Sequence, residues 1–292
     1  MHTPLFSNAL IDEPMRKHTT FGVGGPAAEF VVPESRAELA DAVARCREAE
    51  VDYFILGKGS DLLVSDDGFD GVVIALDALN GVRREGVRLH CDAGASLVYV
   101  SRRALYAGLT GMEFACGIPG SIGGACFMNA GAYDGCVADV LESVDVIAPD
   151  GEFATLAADE LDMGYRKSRV RSEGLVVLGA TVCLEEGDRD AIRAKMDDFT
   201  QRREEKQPLE YGSAGSTFKR PEGYFAGKLI MDAGLKGYQV GGAAVSTKHA
   251  GFVVNLGGAT AADVRAVIEH VQDEVERQFG VRLEPEVRFL GW

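Results

Sequence analysis

Two glycine-rich stretches carry the first chemistry to be read from this chain. In "LGKGSDLLVSDDGF", an apolar run enters Gly57, Lys58, Gly59, Ser60 and Asp61 and returns at once to apolar residues. Paired glycines let backbone N–H groups approach an anion closely, and successive N–H donors in a turn form an anion-binding nest. The second stretch, "GIPGSIGGACFMNAGAYDG", has no charge before Asp134. Gly117, Ile118, Pro119, Gly120, Ser121, Ile122, Gly123 and Gly124 offer backbone donors with little bulk, and Asn129, Ala130 and Gly131 add a neutral amide and further small residues. Bare, uncharged backbone of this kind suits the pyrophosphate and flat ring of a dinucleotide. Each stretch also has a plainer reading. The first is then a β-turn between strands, the second close packing of a helix on a sheet through glycine and alanine. Neither is a Rossmann fingerprint, because the first lacks the third glycine and the "LLV" that follows does not open a helix.

Charge points to a small anionic ligand rather than a polyanion. The 292 residues carry a formal net charge of −15, which argues against a nucleic-acid partner. Between Ser213 and Ala250, however, Lys219, Arg220, Lys228, Lys236 and Lys248 face only Glu222 and Asp232, a local reversal of sign. The six cysteines form no C-x-x-C pair and read as reduced core residues. Five dispersed histidines have no ligand spacing, so no metal is expected. "MHTPLFSNAL" lacks the basic and apolar regions of a signal peptide, and no apolar run reaches the roughly 18 residues of a membrane span. The expectation is a cytoplasmic protein without membrane insertion.

The elements that must position these loops are legible from periodicity. "EFVVP" reads as a short strand, and Ser35-x-x-Glu38 as a capping box opening a helix with Leu39, Val43 and Cys46 on one face, ending near Glu50. "VDYFIL" and "GVVIAL" complete a small β-α-β module around the first glycine loop. "GVRLHCDAG" opens a second module, with a helix over Leu97 to Ala107 that Gly108 ends as a left-handed cap. Two strands joined at Pro149-Asp150-Gly151, a buried strand from Gly174 to Leu184 and a helix from Asp188 to about Lys206 follow, with Pro208 at a boundary. Thr260-x-x-Asp263 starts an amphipathic helix with Val264, Val267, Ile268, Val271 and Val275 on one face, and "VRLEPEVRFLGW" reads as a strand-like tail. The whole is a mixed α+β chain.

The ordered blocks "TTFGVGGPA", "LGKGSDLLVSDDGFDGVVI", "GMEFACGIPGSIGGACFMNAGAY", "GYRKSRVR", "SAGSTFKRP", "AGKLIMDAGLKGYQVGGAAVSTKHAGFVVN" and "LEPEVRFLG" closely resemble the UDP-N-acetylenolpyruvoylglucosamine reductase family over essentially the whole chain. The short spacing before "SAGSTF" resembles its compact subtype. The resemblance implies an α+β, FAD-binding fold of the p-cresol methylhydroxylase/vanillyl-alcohol oxidase type in two modules, 1–78 and 79–206, plus a C-terminal α+β substrate-binding module, 207–292. It further implies non-covalent FAD on the two glycine loops, NADPH as hydride donor in a ping-pong cycle, a UDP-sugar substrate and a monomer.

Three positions correspond to the family's catalytic residues: Arg166 in "GYRKS", Ser216 in "AGSTFKRP" and Glu286 in "LEPEVRF". Hydride addition to an enolpyruvyl group leaves negative charge on the α-carbon and its carboxylate, which calls for a cation and a proton donor. Arg166 fits the cation, Ser216 the donor and Glu286 an acid that stabilises or relays protons. Taken singly, each reads as an ordinary turn or strand residue; their joint occurrence carries the assignment. Tyr165, Arg220 and Lys228 are candidates for substrate contacts, against the plainer reading of solvated surface residues. The chain departs from the family at Asp61, where Asn is usual, and at Met231, Ala244 and Thr247, where Glu, Gln and Glu are expected. A flavin oxidase of the same fold and a catalytically silent nucleotide-sugar sensor are the rival readings.

Overall fold

A computed structural model describes residues 4–292, so the first three residues of the N-terminal stretch read above lie outside the described residues. The chain forms two compact units. One comprises the described residues up to Ala9 with Phe30–Lys58 and Val72–Arg203; the other comprises Leu10–Glu29, Gly59–Gly71 and Glu204–Trp292.

In the first unit, helix α1 (Arg36–Glu48) starts where the capping motif places it, with Ser35 accepting from the Glu38 N–H at 3.1 Å. The Glu38 carboxylate accepts from the Glu34 N–H, not from Ser35. Strand Tyr53–Leu56 runs parallel to Val72–Ala75, and the segment that joins them, residues 57–71, contains no helix. A second, five-stranded antiparallel sheet is built around the apolar strand Val176–Cys183, which pairs with Leu141–Ile147 on one side and Arg88–Asp92 on the other. Strand Val82–Glu85 pairs on the outer side of Arg88–Asp92 and has no strong apolar pattern of its own. Helix α2 (Leu97–Ala107) ends on Gly108 at φ 69° and ψ 36°, the left-handed stop its sequence predicts. One apolar cluster joins α1, α2 and both sheets, including Leu39, Val43, Ile74, Leu97 and Val177.

The glycine-rich stretch departs from a pure loop. Ile122–Met128 forms helix α3, capped by Ser121, whose hydroxyl accepts from the Gly124 N–H at 3.3 Å. Gly123 explains why a short helix forms among poor helix formers: a Cβ there would stand 3.2 Å from the Ala93 Cβ, and α3 packs on the strand Val176–Cys183. Tertiary contact overrides propensity here. The unit ends along α4 (Arg189–Lys206), up to Arg203. The cysteine expectation needs correction. Cys46, Cys91 and Cys126 are buried, but Cys116 and Cys136 are half-buried and Cys183 is exposed, because the alternation of its strand turns that side chain outward.

In the second unit, strands Gln239–Val240, Ala243–Val245 and Val253–Asn255 form an antiparallel sheet. Two helices, α5 (Ala226–Asp232) and α6 (Ala261–Phe279), complete its core. Val264, Val267, Ile268, Val271 and Val275 are all buried, the face predicted from their spacing. The Thr260 hydroxyl and Asp263 carboxylate form the expected capping box, and Asp66 adds a second cap by accepting from the N–H groups of Ala261 and Ala262 at 2.8 and 2.9 Å. The strand-like tail is realised as Arg288–Leu290, parallel to Leu62–Val64. The "LLV" after the first glycine loop is therefore strand.

Candidate active site

The two glycine stretches meet within the first unit. Gly57 lies so close to Ser121 that a Cβ on Gly57 would collide with the Ser121 hydroxyl. Among the described residues, the N–H groups of Gly57 and Lys58 have no protein acceptor, nor do those of Gly120 and Ser121. Open donors on two glycine-lined turns are what a dinucleotide cradle requires, so the residues present fit FAD. Gly59, at φ 59°, belongs to the second unit, where a Cβ would collide with the His18 carbonyl. In the same unit its own carbonyl accepts from the Thr20 N–H at 3.0 Å. Ser60 continues that turn and Asp61 hands the chain to Leu62–Val64, its carbonyl accepting from the Arg288 N–H at 3.1 Å.

The expected loop residues play different parts. Lys58 is ion-paired with Asp77 at 2.6 Å. Ile118 donates its N–H to Ala115, Pro119 carries the chain toward Gly120, and Gly120 accepts from Leu97. Gly123 is a packing residue, whereas Gly124 is exposed and a Cβ there meets only the Ser121 hydroxyl at 3.4 Å. Ala130 donates to the Ala125 carbonyl, and Gly131 begins a hairpin whose tip, Tyr133-Asp134, has φ values of 53° and 64°. Asn129 ends α3 in the left-handed region, and both ends of its amide are engaged: Nδ2 donates to the Gly164 carbonyl at 3.0 Å and Oδ1 accepts from the Ala138 N–H at 3.0 Å.

The bond to Gly164 reaches the turn that carries Arg166. Gly164 and Lys167 exchange backbone bonds of 3.0 and 3.1 Å, closing a turn with Tyr165 and Arg166 at its tip. Arg166 has φ 53°, a conformation glycine ordinarily supplies, so a bulky residue held there is strained by about 1–3 kcal/mol and needs external support. The support comes from Asn129, from Ser168, whose hydroxyl donates to the Phe127 carbonyl at 2.7 Å, and from Arg171, which donates to the Arg166 carbonyl at 3.4 Å. The Arg166 guanidinium lies 4.9 Å from the centroid of the exposed Tyr165 ring.

In the second unit, Ser216 and Glu286 come together from distant sequence. Thr217 donates its N–H to the Gly251 carbonyl and accepts from the Glu286 N–H, both at 2.9 Å. Phe218 bridges Pro285, so Glu286 stands opposite Thr217, one residue from Ser216. Ser216 is exposed and Glu286 half-buried, while Thr217 between them is fully buried. The basic segment is partly neutralised locally: Lys219 pairs with Glu284, and Lys228 with Asp232 at 2.7 Å. Arg220 instead lies 3.9 Å from the centroid of the Phe225 ring. The four-residue-spaced Lys228 pair is the geometry of a solvated helix surface. Of the departures, Ala244 is buried in the middle strand of the three-stranded sheet, while Met231 and Thr247 are exposed.

Arg203 was not singled out by its sequence. Nothing in "TQRREEKQP" distinguishes it from neighbouring surface charges.

The fold and the paired glycine turns define a flavin-binding α+β protein, and residues 27–157 match the FAD binding domain family while 207–290 match the UDP-N-acetylenolpyruvoylglucosamine reductase, C-terminal domain family. A UDP-N-acetylenolpyruvoylglucosamine reductase from Clostridium perfringens is 56% identical over 96% of this chain and 92% of its own length. One from Clostridium botulinum is 49% identical over 98% and 96%. The crystal structure of UDP-N-acetylenolpyruvylglucosamine reductase from Thermus caldophilus superposes with a TM-score of 0.83 at 37% identity, covering 97% of this chain and 98% of that one. The chain belongs to the UDP-N-acetylenolpyruvoylglucosamine reductase family.

Proposed function

We propose that this chain reduces the enolpyruvyl ether of UDP-N-acetylglucosamine to the lactyl ether, giving the UDP-N-acetylmuramate needed for peptidoglycan precursors, with NADPH as electron donor. The observation that carries the reading is likeness to named reductases along 96% of the chain at 56% identity. Bound FAD, once reduced by NADPH, supplies the hydride that adds to the enolpyruvyl group. The protein supplies orientation, charge and a proton. Arg166 stabilises the negative charge that builds on the substrate α-carbon and carboxylate, a task suited to a permanently charged, planar guanidinium. Ser216 donates the proton to that carbon, and Glu286 assists the transfer. Gly57 to Asp61 and Gly117 to Gly131 serve the cofactor, while Tyr165, Arg220 and Lys228 contact the UDP-sugar. The protein acts as a monomer in the cytoplasm and takes no nucleic acid, in keeping with its charge of −15. No helix among the described residues is long and apolar enough to cross a membrane.

Anaerobic mixing tests the reading. NADPH is expected to bleach the flavin absorbance of the purified protein, and the enolpyruvyl UDP-sugar to restore it. A flavin that resists NADPH but is reduced by an alcohol would mark an oxidase. A colourless protein that binds the UDP-sugar would mark a sensor.

A further inference from the structure

Near the end of α4, one half-buried cation has no acid beside it among the described residues. Arg203 is half-buried, and its guanidinium has neither an ion pair nor a hydrogen-bond acceptor among the described residues. Its neighbours on the helix behave differently: Arg202 pairs with Asp198 at 2.8 Å, and Lys195 lies 3.8 Å from Glu113. The groups that act on its charge are the Tyr133 phenol and the Cys116 thiol. Both are already occupied. Tyr133 donates to the Phe199 carbonyl at 2.9 Å and stacks on the Phe199 ring at 4.4 Å, and Cys116 donates to the Met196 carbonyl at 3.7 Å. Burial against this floor pushes the Arg203 guanidinium below the ordinary arginine value, since desolvation disfavours charge that no acid offsets.

A second observation lies in the loop on which Arg203 rests. A Cβ at Gly117 would stand 2.9 Å from Arg203 Cδ and 3.3 Å from its Nη1, so a bare residue at 117 is what lets the side chain lie along the backbone. From there the chain runs to Ser121, which abuts Gly57. The N–H groups of Gly117, Gly120 and Ser121 meet no acceptor among the described residues, although Ser121 is only 1% exposed. A desolvated guanidinium beside open amide donors is short of one partner, an oxyanion.

We propose that Arg203 and the Gly117–Ser121 backbone bind a phosphate or carboxylate oxyanion of a nucleotide ligand, making Arg203 a binding residue of the reductase. The inference rests on the function proposed above. Three ligands carry such a group: the diphosphate of FAD, that of NADPH, and the diphosphate or carboxylate of the UDP-sugar.

The test compares Arg203→Met, which keeps the stem and removes the charge, with Arg203→Lys, which keeps both. FAD affinity is measured by titrating deflavinated protein, with riboflavin, which has no phosphate, as control. KM values for NADPH and for the enolpyruvyl UDP-sugar are measured on protein saturated with FAD. Arg203→Met is expected to weaken one of these ligands about tenfold or more, the loss of one charge-assisted hydrogen bond, with partial recovery in Arg203→Lys. Weakened FAD with unchanged riboflavin assigns the oxyanion to the cofactor; a raised KM assigns it to that substrate. Native values in every arm, at native melting temperature, overturn the proposal. If Arg203→Met does not fold, Arg203→Gln goes through the same arms. Wild-type protein that neither takes up FAD nor oxidises NADPH would instead refute the functional reading itself.

Discussion

The turn that carries Arg166 and the strand pair that carries Ser216 and Glu286 hold their side chains by different means. Arg166 occupies a left-handed backbone position that a bulky residue does not favour, and side chains elsewhere in the unit, Asn129, Ser168 and Arg171, hold the turn in place. Ser216 and Glu286 are set by main-chain bonds through Thr217 to Gly251 and Glu286. A side-chain anchor is removed by one substitution, whereas a ladder bond survives any change short of proline. The first arrangement is therefore open to subtle mutation, and the second yields mainly when Ser216 or Glu286 itself is replaced.

The largest expected effect comes from the second region. Ser216→Ala should slow flavin reoxidation by the UDP-sugar about 10²- to 10⁴-fold, the usual contribution of a general acid, while reduction by NADPH stays native. Its melting temperature should not move, because the Thr217 bonds remain. Stopped-flow absorbance reads both half-reactions, and native reoxidation would remove Ser216 from the proton-transfer role.

Asn129→Ala attacks the first region at its anchor. It leaves the half-buried Ala138 N–H without an acceptor, at a stability cost of about 1–3 kcal/mol, while the Gly164 carbonyl keeps its bond from the Lys167 N–H. Loosening the Arg166 turn should also lower the reoxidation rate about tenfold, a misplacement effect smaller than loss of a reacting group. A rate that stays native while stability falls would show that the turn holds its shape without Asn129.

Thr217→Val sharpens the contrast. Thr217 Oγ1 accepts from the Val253 N–H at 3.0 Å, so valine orphans a buried donor and should cost about 1–3 kcal/mol in denaturant unfolding. Both half-reactions should stay close to native rates, since the main-chain bonds that set Ser216 and Glu286 are untouched. A rate loss comparable with that of Ser216→Ala would mean that the ladder does not suffice.

The smallest effect on stability belongs to Lys228→Ala. The Lys228–Asp232 pair is exposed, and such pairs contribute about 0–1 kcal/mol. Its unfolding midpoint should barely move, and any change should appear in KM for the UDP-sugar. An unchanged KM would return Lys228 to the solvated surface.

Local pattern made much of the fold legible. The Ser35 cap, the stop at Gly108 and the buried face of α6 depend on residues within a few positions of one another, so side-chain type and spacing suffice to place them. The joint order of the blocks also carried the family, and with it Arg166, Ser216 and Glu286 as the residues to watch. What spacing does not encode is which distant groups meet. Asp66 caps a helix 195 positions away, and Leu62–Val64 pairs with Arg288–Leu290 near the other end of the chain. Helix α3 lies within a stretch whose glycines argue against a helix, and it forms because Gly123 seats it against Ala93.

The same division runs through the candidate site. From the chain's own letters came the two bare loops, their capacity to donate backbone N–H groups, and the residue types that hydride addition to an enolpyruvyl group requires. Only the tertiary structure separated Gly123, which packs, from Gly124, which is exposed. It alone showed that both ends of the Asn129 amide are bonded within the protein, and that Arg203, among the described cations of its helix without an ion pair, is the one that is half-buried. Hydrogen-bond satisfaction and charge compensation are properties of neighbours in space. A chain that folds back on itself chooses those neighbours through its whole path, which no local stretch of sequence contains.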